Sequence, residues 1–147
     1  MNFEWLALII AAGAGVTMAI QGTLNTILGK ATGLLEATFI VHLVGLTVAA
    51  LLLIFGVGEE RLYQQVSPPW YIYLGGVLGV MIVYGVVRSI PLVGVAPATT
   101  AIILGQVLTA GIIDYLGLFG MERLPFNWFK VAGILLMAGG AWLLLKK

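Results

Sequence analysis

Residues 101–120 read AIILGQVLTAGIIDYLGLFG, and the first thirteen of them close an uncharged run from Ser89 to Ile113. A helix needs about 20 largely apolar residues to cross a bilayer, and this stretch supplies them. It nevertheless carries Gln106 and, eight residues on, Asp114. With a helix running roughly from Pro97 to Phe119, Gln106 falls near the midplane and Asp114 about 9 Å away from it. Eight residues at 100° each leave the two about 80° apart on one broad face, with Ala110 between them. A charged residue at a helix centre costs about 2.5–3.5 kcal/mol on insertion scales, so that face should turn from lipid toward protein or water. The carboxyl at Asp114 then either couples an ion or proton or locks two helices together.

Outward from this stretch the pattern repeats. Further uncharged runs cover Trp5 to Gly29, Ala37 to Gly58, Trp70 to Val87 and Val131 to Leu145, the last lengthening to Trp128 if Lys130 snorkels toward the headgroups. Five spans at 5–29, 36–57, 70–88, 93–119 and 128–145 take up nearly all of the 147 residues, as one membrane domain over 1–147. Charged residues make up only 9% of the chain, against about 25% in soluble domains. The mean hydropathy is +1.12. These features define an all-α integral membrane protein with five transmembrane helices, in contact with membrane lipid. A cleaved signal peptide is the rival reading of the first run. That run is much longer than an h-region of about 7–15 residues and has no basic segment before it.

Several functional classes find no support. Cysteine is absent, and His42 is the single histidine, so neither a disulfide framework nor a Cys- or His-based metal site is expected. A net charge of +1 gives no reason to expect a nucleic-acid partner. There is no H-E-x-x-H, no G-x-S-x-G and no phosphate-cradling Gly-Lys loop, so no catalytic residues and no cofactor are assigned. An intramembrane hydrolase would have to rest on Asp114 alone.

The connections are short. Ser67-Pro68-Pro69 suits a helix start, and Pro91 and Pro97 bracket the start of the fourth span, with Pro97 either in its first turn or at a kink. No convincing repeat relates the spans. An odd span number puts the termini on opposite sides. The N-terminal side holds Arg61, Arg123 and Lys130, the other Lys30, Arg88, Lys146 and Lys147, a balance of three against four that instructs orientation weakly. Trp5, Trp70, Tyr71, Tyr73, Phe126, Trp128 and Phe129 gather near the N-terminal side, as an interfacial belt does.

Polar residues at depth are the site candidates. Gln21 and Asn25 are i and i+4 in the first span, so their amides share one face, where they either bond other helices or grip a polar solute. Glu36 lies near the mouth of the second span and His42 about 9 Å deeper, about 120° around the helix. Thr38, His42, Gly45 and Ala49 form a stripe suited to packing. Tyr84 and Arg88 close the third span, where Arg88 pairs with Glu36, attracts an anion or, the reading favoured here, snorkels to headgroups. Gly75 and Gly79 in the third span, and Gly133 and Gly140 in the fifth, allow close helix approach or dimerisation.

The order of these features resembles a family. Q-x3-N (Gln21, Asn25), GG-x2-G (Gly75, Gly76, Gly79), GQ-x7-D-x2-G-x2-G (Gly105, Gln106, Asp114, Gly117, Gly120) and G-x5-GG (Gly133, Gly139, Gly140) follow one another as in the small bacterial YdcZ-type proteins of the drug/metabolite transporter superfamily. The resemblance covers essentially the whole chain. It implies half of a ten-helix transporter in the bacterial inner membrane, in a family of homodimers, heterodimers and internally duplicated chains, with an antiparallel homodimer of dual topology expected here and a solute site near the midplane between the two halves. Glu36, His42 and Arg88 lie outside the family pattern.

The expected function is therefore a transporter subunit moving a small organic solute, cationic or amphipathic, by alternating access. Gln21, Asn25, Gln106, His42 and Tyr84 would line its cavity, and Asp114 and Glu36 are the candidates for proton or ion coupling. The rival is a non-transporting accessory protein whose polar residues only hold helices together.

Overall fold

The computed structural model describes residues 3–58, 69–125 and 127–146. Within them it is helical without strands: α1 (Phe3–Thr32), α2 (Leu34–Ile54), α3 (Leu74–Val93), α4 (Val95–Leu116) and α5 (Trp128–Leu145). All five helices are long and apolar enough to cross a membrane, counting for the third the 3₁₀ turn Trp70–Tyr73 that leads into α3. The five-helix membrane class expected from the uncharged runs is the one observed. Of Ser67-Pro68-Pro69 only Pro69 is described, and it precedes the 3₁₀ turn. Arg61, Phe126 and Lys147 also lie outside the described residues.

Span ends differ from expectation where glycine and proline act. α1 and α2 are separated by Gly33 alone, at φ 109°, and α3 and α4 by Gly94, at φ 95°. Positive φ is open to glycine at no steric cost, so a helix can stop and restart there within one residue. In each case the glycine carbonyl accepts the first bond of the new helix, from Ala37 N–H at 3.0 Å and from Ala98 N–H at 3.2 Å. The third span, expected to end at Arg88, runs on to Val93 with Pro91 in its last turn. Pro97 is a first-turn residue of α4, where a missing N–H costs nothing, and not a kink. The fourth span, expected to reach residue 119, stops at Leu116 because Gly117 turns left-handed at φ 64°.

The chain divides into two compact units, Met1–Pro91 and Leu92–Lys147. In the first, α1 presents Gly22 and Gly29 to α3. A Cβ at Gly22 would lie 3.0 Å from Val86 Cγ1, and one at Gly29 would overlap Val87 Cγ1. Val87 and Ile90 are consequently buried. Such close approach is how membrane helices gain packing without a hydrophobic driving force. In the second unit α4 and α5 pair, and the chain between them folds back under the end of α4.

Candidate functional site

In the first unit the polar side chains of α1 and α2 fall into two groups. Thr23, Thr26 and Thr38 donate to the carbonyls of Ala19, Gly22 and Leu34, at 3.0, 2.8 and 2.9 Å. Each thus satisfies its hydroxyl within its own helix. His42 Nδ1 lies 2.8 Å from the Thr38 carbonyl, and because a carbonyl only accepts, the ring proton sits on Nδ1. In the neutral ring Nε2 is then an acceptor. It faces α3 at Gly79, where a Cβ would lie 3.5 Å from it.

Asn25 behaves otherwise. It is only 7% exposed, yet its amide makes no hydrogen bond to another described residue. No side-chain polar atom among the described residues is both fully sealed and unpaired, so the Asn25 amide must reach an opening. Gly22, Thr26 and Gly29 turn toward α3, and Asn25 lies at the edge of that face, with exposed Gln21 about 40° further around α1. The two amides thus form a rim beside a packed seam.

The other expected residues are more dispersed. Glu36 occupies the first turn of α2, and its carboxylate folds against the Cα of Gly33, where a Cβ would collide with it. That position complements the positive end of the helix dipole. Arg88 is exposed and makes no ion pair with Glu36 or any other described residue. Tyr84 and Gln106 are exposed. Gly75, Gly133 and Gly140 have no atom of another described residue within 4 Å of a would-be Cβ, so among the described residues their faces are open. The close-packed glycines are Gly22 and Gly29, whose seven-residue spacing with Thr26 between was the sequence signal for them.

In the second unit Asp114 lies in the last turn of α4, nearer the helix end than the span to residue 119 implied. Its carboxylate faces Lys130 Nζ of α5 at 3.9 Å, with Asp114 41% and Lys130 51% exposed. The last carbonyls of a helix lack intrahelical partners. Here the returning chain provides them: Leu124 N–H donates to the Asp114 carbonyl and Arg123 Nε–H to that of Tyr115, both at 2.9 Å. The Arg123 guanidinium also lies over the Tyr115 ring, 5.5 Å from its centroid. Asn127 caps α5 by accepting from Phe129 N–H at 2.9 Å. Between α4 and α5 an open cleft of about 430 Å³ runs from Asp114, Lys130 and Asn127 to Leu108, Ile112 and Ile134. Sequence reasoning placed Lys130 among the headgroups and missed it as the partner of Asp114, although the short connection brings the two helix ends together.

Comparison with known proteins adds one finding. The family model described as "Putative inner membrane exporter, YdcZ" matches residues 6–143. No curated protein and no solved structure matches the chain.

Proposed function

The chain belongs to the YdcZ family of inner membrane exporters, and from that premise we propose that it is one half of a transporter, working as an antiparallel homodimer by alternating access. It is a multi-pass inner membrane protein of a transporter family rather than an enzyme family. The observation that carries the proposal is Asn25: an amide that is largely buried and has no partner among the described residues is the group a polar solute would satisfy. Gln21, exposed and about 40° further around α1, joins it in lining the path. The open glycine faces at Gly75, Gly133 and Gly140 give a second chain places of close approach. The near balance of Lys and Arg between the two sides permits both orientations.

The resemblance to the drug/metabolite transporter superfamily suggests a small organic solute, cationic or amphipathic, and the amides offer it hydrogen bonds. Asp114 and Glu36 stand as the two carboxylates available for proton coupling. Each already has a local electrostatic partner, Lys130 and the α2 N-terminus respectively.

The absence of cysteine makes the test direct. One Cys is placed at Ser67→Cys, another is appended after Lys147, and intact and permeabilised cells are labelled with an impermeant thiol reagent. Partial reactivity of each site from outside supports two coexisting orientations. Reactivity of each site from one side only overturns the antiparallel homodimer.

A further inference from the structure

The α4–α5 cleft has a chemistry of its own, separate from the rim at Asn25. Its apolar half, Leu108, Ile112 and Ile134, extends up to about two helical turns from Asp114 and Lys130 toward the middle of the span. Its polar half is an opposed pair of charges at a helix end. Trp128 and Phe129, 77% and 85% exposed, begin α5 at the same level, where aromatic residues mark the boundary between hydrocarbon and headgroups.

The pair itself is open. At 3.9 Å the Asp114–Lys130 separation exceeds the roughly 2.7–2.9 Å of a charge-assisted hydrogen bond. Neither charged end makes another hydrogen bond to a described residue. A carboxylate and an ammonium set side by side, above an apolar groove, complement a molecule with the opposite pair and an acyl chain. We propose that this cleft binds a phospholipid bearing a primary ammonium, of the phosphatidylethanolamine type. Its phosphate meets Lys130, its ammonium meets Asp114, and one acyl chain lies along Leu108, Ile112 and Ile134. A headgroup with a phosphate but no ammonium would satisfy Lys130 and leave a like charge near Asp114. The site does not depend on the transport reading, and its test has no transport readout.

The purified protein in detergent is titrated with short-chain phosphatidylethanolamine and, separately, phosphatidylglycerol, and bound lipid is counted by native mass spectrometry. The expected result is about three- to tenfold tighter retention of phosphatidylethanolamine, the effect of one net hydrogen bond. Asp114→Asn should bring that ratio to about one. Ile112→Trp, which fills the apolar half, should weaken both lipids and keep the ratio. Equal retention by the wild-type protein overturns the site, and so does a ratio that survives Asp114→Asn. Should Asp114→Asn fail to fold, judged by helicity, the wild-type ratio decides. If Ile112→Trp separates a dimer and leaves both lipids bound, the cleft is an interface between copies and the lipid site falls.

Discussion

Asn25 and Asp114 are both polar side chains in apolar helices, and the fold treats them oppositely. Asn25 is uncharged, buried beside a packed seam and without a hydrogen-bond partner among the described residues. Asp114 is charged, near the end of its helix, half-exposed and opposite a lysine. A charge is tolerated where headgroups and a counter-ion are within reach, whereas a neutral amide can be carried to depth at lower cost. The more polar residue is therefore the less interior one. A sequence search for the most costly side chain finds Asp114, and the structure shows Asn25 to be the more buried of the two.

The contrast can be broken at several points. The largest effect is expected from Asn25→Leu, which keeps the forked heavy-atom shape and removes the amide. In cells challenged with a panel of lipophilic organic cations, any resistance conferred by the chain should be lost, while the melting temperature in detergent holds or rises, because no internal hydrogen bond disappears. A clear fall in melting temperature would make Asn25 a helix lock and return weight to the accessory reading.

Gly29→Val forces a branched side chain onto Val87 and should cost about 1–3 kcal/mol in unfolding measurements, as overpacking does. Val87→Ala in the same chain should recover part of that loss. No such coupling would mean that α1 and α3 are not held together there.

Gly33→Ala meets both a left-handed backbone and the Glu36 carboxylate, and about 1–3 kcal/mol is expected. Gly75→Ala, with open space around it, should be neutral in the same monomer assay, and a loss seen only in the dimer would locate a contact between copies.

The smallest effect belongs to Asp114→Asn. A half-exposed pair contributes about 0–1 kcal/mol, and the return of the chain under α4 rests on the backbone carbonyls of residues 114 and 115, which the substitution leaves in place. A larger loss, or transport that loses its pH dependence, would restore Asp114 to the coupling role.

The membrane class and the five spans were legible because length and apolarity decide them with little help from packing. The ends were less so. Pro91 reads as a stop, yet in a last turn it removes only one bond, and Ser89 Oγ donates to the Val86 carbonyl close by, at 3.2 Å. The junctions at Gly33 and Gly94 share G-x3-A-T, residues 33–38 and 94–99, and each buries its alanine, Ala37 and Ala98. That local repeat passed unnoticed because it is shorter than a span. The site was half legible. Spacing put Gln21 and Asn25 on one face, but whether a buried amide has a partner depends on a neighbouring helix that no single-helix pattern contains. Lys130 went unpaired for the same reason.

The central claim is that Asn25 faces water or solute rather than another side chain. Asn25→Cys in this cysteine-free chain tests it, with Leu136→Cys, 77% exposed on the apolar α5, as the lipid-facing control. A small water-soluble thiol reagent attacks only the thiolate, which forms where water reaches and is suppressed in hydrocarbon. The account predicts that position 25 reacts in membranes while position 136 stays inert. Equal inertness at both positions would contradict it.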